Sequence, residues 1–232
     1  MTPSGPLYCE TGHGFLFMAE PINTVTNAFI IIAAIYALRE VRRAQIGMPF
    51  DLALLLFLLF ATGIGSFFWH ALRTRIALAF DALPGLLFLF VLAGLWFRAL
   101  FGNLIGVAGA LGLIALAVGT TALWRTYGVG FSGMPPAFGF APAFASIAAV
   151  GAFLAIETAR RYGGDVARLG AFAILSALGA AVCRSIDLLV CSVLPTGTHF
   201  LWHILLSLAA YLGIVMLVRL KSAASASLRP AL

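Results

Sequence analysis

Three of the four histidines lie near the ends of apolar segments, and two of them are spaced His199-x-x-x-His203. His70 follows Ser66 by four residues, and Asp81 stands at the head of the next apolar run. Positions i and i+4 of a helix face one way, ~5–6 Å apart at Cβ, so His199 and His203 can clamp one ion. His70, from a separate segment, would complete three nitrogen ligands. Three protein ligands with an open fourth position define a catalytic zinc rather than a structural one, and such zinc lowers the pKa of its water to ~7. Ser66 projects onto the same face as His70, where its hydroxyl can support that water or a developing oxyanion. Asp81 can take the water's proton and pass it to a leaving group. The chemistry these five residues point to is metal-assisted hydrolysis.

The elements that must hold them are membrane helices. The chain is 62% hydrophobic and 9% charged, with a mean hydropathy of +1.08, whereas soluble domains carry ~25% charged residues. Apolar runs near the ~20 residues that span a bilayer fall at 21–38, 52–71, 77–98, 103–123, 139–158, 168–191 and 199–220. The alternation of a membrane β-barrel is absent. The expected fold is therefore all-α, a seven-helix transmembrane bundle forming one domain over residues 1–221. Residues 1–20 read as a cap without the basic and apolar regions of a cleavable signal peptide, and 222–232 as a disordered tail.

Ten of the fourteen basic residues fall on the side opposite the N-terminus, among them Arg42, Arg43, Arg160, Arg161 and Lys221. The positive-inside rule then puts that side and the C-terminus in the cytoplasm and the N-terminus outside. The net charge of +6 is a topological signal, not a nucleic-acid surface. Short loops fit a bacterial inner membrane, with the histidine layer facing the extracytoplasmic side. On that side the Gly/Pro-rich stretch 124–138 reads as a connector or as a flap. Arg73 and Arg75 read as interfacial anchors, with an anionic headgroup as the other use. Gly102, Gly106 and Gly109 suggest close helix packing.

With this topology Ser66, His70, Asp81, His199 and His203 share one layer, together with Glu20, Asn23 and Asn27 on one face of the first helix. Ionisable groups at membrane depth are costly and usually functional. His13, in the cap, lacks a partner spacing. Arg184 and Asp187, three apart, read as a buried ion pair, or Asp187 as a group orienting a histidine. Glu20 could also be an oxygen ligand for a second, hard cation. Cys9 and Cys191 lie on the same side, where a disulfide and free buried thiols are both open. Cys183 lies about two turns deeper.

The segments Gly63-Ile64-Gly65-Ser66-Phe67-Phe68-Trp69-His70, Asp81-Ala82-Leu83-Pro84 and His199-Phe200-Leu201-Trp202-His203 resemble the alkaline ceramidases. Those enzymes belong to a superfamily of seven-helix membrane hydrolases that includes the adiponectin receptors. Cys9-Glu10 and the run from Glu20 to Asn27 are similar to that family's opening. The resemblance implies zinc on His70, His199 and His203, with Asp81 and Ser66 beside the water. It implies hydrolysis of a ceramide-like amide to a fatty acid and a sphingoid base. It also implies a calcium site involving Glu10 and Glu20. Here the family's leading Asp-Trp pair is Leu7-Tyr8, and a carboxylate missing from such a cluster counts against calcium.

The expected partner is thus a membrane lipid, with neither nucleic acid nor an obligate protein partner indicated. Two other readings stand beside the enzyme: a lipid receptor or sensor with a structural or vestigial zinc, and a transporter. A transporter should place polar groups near the midplane or at broken helices, whereas these cluster at one end.

Overall fold

A computed structural model describes residues 7–10, 18–127 and 136–227, and its regular structure is helical. Seven helices are long and apolar enough to cross a membrane, which makes the chain an integral, multi-pass membrane protein. Helix α1 spans Pro21–Arg43, with a break at Asn27 between segments Pro21–Thr26 and Ala28–Arg43. Then come α2 (Phe50–Leu72), α3 (Arg75–Phe101) and α4 (Asn103–Tyr127). A 3-10 turn at Pro136–Phe140 leads into α5 (Ala141–Tyr162), followed by α6 (Gly164–Ile186), a second 3-10 turn at Asp187–Leu189, and α7 (His199–Ser227). His13 and the centre of the Gly/Pro-rich loop lie outside the described residues.

Most helices overrun the apolar stretches that mark them. Bilayer thickness limits the apolar run, not the helix, so α1 continues through Arg42 and Arg43 and α5 through Arg160 and Arg161. Cations there also complement the negative end of the helix dipole. The same continuation corrects the expected tail. Helix α7 runs to Ser227, because Ala223, Ala224 and Ala226 prolong a helix that is already nucleated.

Consecutive helices pack side by side, α7 closes on α1, and α3 crosses to touch α5 and α7. The enclosed helices are α2 and α7, which carry the histidines. Away from the histidine end the interior is apolar: Leu52, Leu55 and Leu59 of α2 meet Ala34 and Val41 of α1 and Ile214 and Leu217 of α7. Lipid tails are as apolar as leucine, so close packing and polar pairing, rather than hydrophobic burial, hold such helices together. Trp96 accordingly donates its indole N–H to Thr158 Oγ1 at 2.8 Å, and Asp51 is held by both Arg98 and Lys221. Phe29, Ile32, Phe57, Leu104 and Val118 are exposed, as lipid-facing side chains should be.

Of the three glycines expected to pack helices, Gly106 and Gly109 do so. A Cβ on Gly106 would lie 2.7 Å from the Arg98 Cβ, and one on Gly109 would lie 2.5 Å from the Phe97 ring. Gly102 instead makes the turn from α3 to α4 at φ +92°, a backbone conformation that glycine adopts without steric cost.

Candidate metal centre

The centre is assembled where α2 ends and α7 begins. His70 is in the last turn of α2, His199 opens α7, and His203 follows one turn later. All three are about 1% exposed, and one ring nitrogen from each lies within 4.8 Å of the others. Ring centroids are 4.8 Å apart for His70–His203 and His199–His203, and 5.1 Å for His70–His199.

Hydrogen bonds on the outer ring nitrogens decide what the inner ones present. His70 Nδ1 lies 2.5 Å from Glu20 Oε2. An ionised carboxylate only accepts, so Nδ1 carries the hydrogen and Nε2 keeps its lone pair. His203 Nδ1 lies 2.9 Å from Thr26 Oγ1. That hydroxyl donates to the carbonyls of Ile22 and Asn23, so it accepts from His203 and leaves His203 Nε2 as the acceptor. His203 Nε2 and His199 Nδ1 are both buried with no hydrogen-bond partner. Buried polar atoms are rarely left so. Two orphaned imidazole nitrogens converging on a third fit a zinc ion, and the carboxylate behind His70 is the usual outer partner of a metal-binding histidine.

Ser66 on α2 and Asp81 on α3 lie on either side of the α2–α3 contact, where the two backbones approach closely beside Gly65. Two residues make this contact close. Pro84 has no N–H, so the Phe80 carbonyl four residues earlier loses its helical partner. That carbonyl sits against Gly65, where a Cβ would lie 1.9 Å from Phe80 O and 2.8 Å from Asp81 N. Only glycine lets the two backbones approach this far, one residue from Ser66.

Residues 8 and 9 lie over the centre. Cys9 and Cys191 form a disulfide with a Cα–Cα distance of 5.2 Å, and Cys183 is a free thiol. Beside Cys9, Tyr8 stacks on His199 with centroids 3.8 Å apart and reaches within 5.4 Å of His70. Burial pushes its phenol above the usual tyrosine range, partly offset by the charge of Arg184. Asn23 donates its side-chain N–H to Glu20 Oε2 at 3.1 Å, and Asn27 donates to the Asn23 carbonyl at 2.8 Å.

Two expectations need correction. Arg184 and Asp187 form no ion pair: the backbone stays helical through Asp187, but each side chain is taken by other partners. The Asp187 carboxylate instead accepts the backbone N–H groups of Cys9 (2.9 Å), Thr198 (2.6 Å) and His199 (2.8 Å). Thus it orients a histidine through the backbone. Arg184 lies over the Trp202 ring at 5.1 Å.

Arg73 is not an outward interfacial anchor. Its side chain is 16% exposed and its Nη1 lies 3.0 Å from Glu20 Oε1. Calcium, already disfavoured by the missing carboxylate, does not fit Glu10 and Glu20 as they stand. Glu10 accepts the N–H groups of Ile22 (2.6 Å) and Asn23 (2.8 Å) at the start of α1. Glu20 faces a guanidinium on one oxygen and His70 and Asn23 on the other. Calcium takes six to eight oxygen ligands, and a guanidinium beside a carboxylate repels a second cation there.

Residue types and spacing did not single out Thr26, Tyr8, Gly65 or Arg73 as parts of the site. The Glu20–Asn23–Asn27 face was the nearest signal, since Thr26 lies beside it on the same turn.

Seven membrane helices with three buried histidines at one end define a polytopic membrane protein with a buried polar centre. The sequence matches the Ceramidase family over residues 4–229. The chain belongs to that family and is a ceramidase-like membrane hydrolase whose substrate class is lipid. Among curated proteins none matches the chain significantly.

Proposed function

We propose that the protein is a zinc-dependent hydrolase that cleaves the amide bond of a ceramide-like lipid, releasing a fatty acid and a sphingoid base. The observation that carries this reading is the pair of orphaned nitrogens, His199 Nδ1 and His203 Nε2, beside His70 and the Ser66–Asp81 pair. His70, His199 and His203 would hold the ion. When bound, zinc supplies Lewis acidity that polarises a carbonyl and makes water nucleophilic at neutral pH.

The chain's own residues do the rest. Asp81 takes the proton of the attacking water as its oxygen bonds to the carbonyl carbon. It returns that proton to the amide nitrogen as the C–N bond breaks, leaving a carboxylic acid and an amine. Ser66 orients Asp81 and offers a hydroxyl to the developing oxyanion. Tyr8 and the disulfide keep bulk water from the cap side, which strengthens every electrostatic contact inside.

The extracytoplasmic side is the proposed location of the centre. Two observations support it: the basic residues gather at the other end, and the disulfide lies at the histidine end, where an oxidising compartment would preserve it.

The test is product analysis by mass spectrometry, offering purified protein a ceramide and an ester lipid of the same acyl chain. Equimolar fatty acid and sphingoid base from the ceramide alone is the expected result. Cleavage of the ester alone would contradict the assignment.

A further inference from the structure

Glu20 is fully buried, and a buried carboxylate needs charged or hydrogen-bonding partners. One of them is Arg73. Helix α2 ends at Leu72, and Arg73 takes a left-handed conformation (φ +55°) with its N–H on the Trp69 carbonyl at 2.8 Å. This turn brings the side chain back over the protein instead of out to the interface. The guanidinium lies 4.2 Å above the Trp69 ring and 5.3 Å from the Tyr8 ring, with Nη1 3.0 Å from Glu20 Oε1. Glu20 Oε2 holds His70 Nδ1. Two backbone bonds pin this arrangement to the end of α2: Ala19 N–H to Ala71 O and Glu20 N–H to His70 O, both 3.1 Å.

We propose that Arg73 is the fixed counter-cation of the metal centre, a positioning residue that acts through Glu20 on His70. The resulting site works without a second, soluble cation. The proposal rests on the reading of the three histidines as zinc ligands. Arg73 holds one oxygen of Glu20, the other oxygen meets His70 Nδ1, and Nε2 is thereby held toward the other histidines. Glu10 is left to cap α1, so no pair of acidic groups remains to gather calcium. A guanidinium suits the post better than an ammonium, because its flat face stacks on two rings while one edge meets the carboxylate.

The experiment compares wild type, Arg73→Gln and Arg73→Lys, purified in calcium-free buffer. It reads zinc affinity by competition with a chromogenic chelator and lipid turnover with and without millimolar calcium. Wild type is expected to bind zinc and turn over substrate equally well with or without calcium. Arg73→Gln is expected to lose about 10- to 100-fold in zinc affinity, the usual cost of an outer partner, and Arg73→Lys to recover most of it.

Calcium stimulation of the wild type by several-fold would overturn the proposal, as would unchanged zinc affinity in Arg73→Gln. If Arg73→Gln does not fold, the wild-type calcium titration and the zinc affinity of Arg73→Lys decide. A lysine variant as weak in zinc as His203→Ala would then reject the counter-cation role. Absence of zinc from the wild type is a different result and rejects the underlying zinc assignment instead.

Discussion

Asp187 accepts the backbone N–H of His199 at 2.8 Å, so the helix bearing two of the three histidines begins on a buried carboxylate. The same Oδ1 accepts from Thr198, and Oδ2 accepts from Cys9. Gly197, at φ +66°, makes this possible, since a Cβ there would lie 2.1 Å from that oxygen. One side chain therefore ties α6, the start of α7 and the N-terminal segment together.

Asp187→Ala should leave three backbone donors without their acceptor. Bonds to a charged group contribute ~1.5–3 kcal/mol each before relaxation, so the detergent-solubilised protein should melt several degrees lower and hold zinc less tightly. Asp187→Asn, which keeps the shape and an acceptor oxygen, should fall between. Thermal unfolding followed by intrinsic fluorescence, with zinc measured on the same samples, checks this. Equal melting temperatures for Ala and Asp would dismiss the capping role.

Gly65→Ala should separate α2 from α3 and pull Ser66 away from Asp81. Overpacking of this kind costs ~1–3 kcal/mol, and turnover should drop more than tenfold while the histidines still bind zinc. Gly112→Ala is the control, because nothing lies within 4 Å of a Cβ at that position. Matching activities for the two variants would show that the contact does not position the site.

Asp81→Asn should abolish proton transfer without disturbing the metal. General acid–base groups contribute ~10²–10⁴-fold, so kcat should fall by that order at unchanged zinc content. Ser66→Ala removes the hydroxyl proposed to support Asp81 and the oxyanion, and should cost about tenfold in rate or more. Loss of zinc from Asp81→Asn would instead make Asp81 a ligand.

Reduction of Cys9–Cys191 should free Tyr8 from His199. Closing so long a loop stabilises by ~2–4 kcal/mol, so a reducing agent or Cys9→Ser should lower the melting temperature. In sealed cells, a membrane-impermeant maleimide should label these cysteines only after reduction, and from outside. Labelling only in inverted vesicles would reverse the proposed orientation.

Much of this was legible from residue types. Hydropathy alone locates all seven spans, because a bilayer demands long apolar helices whatever their packing. The layer of Ser66, His70, Asp81, His199 and His203 follows from helix direction, and the structure brings the three histidines to one point. What sequence could not show depends on which partners a side chain finds. Arg184 and Asp187 stand three apart on continuous helical backbone, yet the Asp187 carboxylate is taken by N–H groups from Cys9, Thr198 and His199.

Arg73 looks like a snorkelling anchor, since arginine near a helix end usually reaches for the interface. Its left-handed backbone turns it inward instead. Tyr8 stacks on His199 across most of the chain's length, and Thr26 meets His203 at a similar remove. No periodicity reports contacts of that kind.

The central claim is that three buried histidines hold a catalytic zinc in a ceramide-cleaving site. The most direct measurement is zinc content together with fatty-acid release from ceramide, on purified wild type beside His203→Ala. About one zinc per chain in the wild type, lost in the variant along with hydrolysis, is the predicted result, as expected for a site with three protein ligands. A wild type free of zinc that still hydrolyses ceramide, or a His203→Ala protein that keeps both metal and activity, would contradict it.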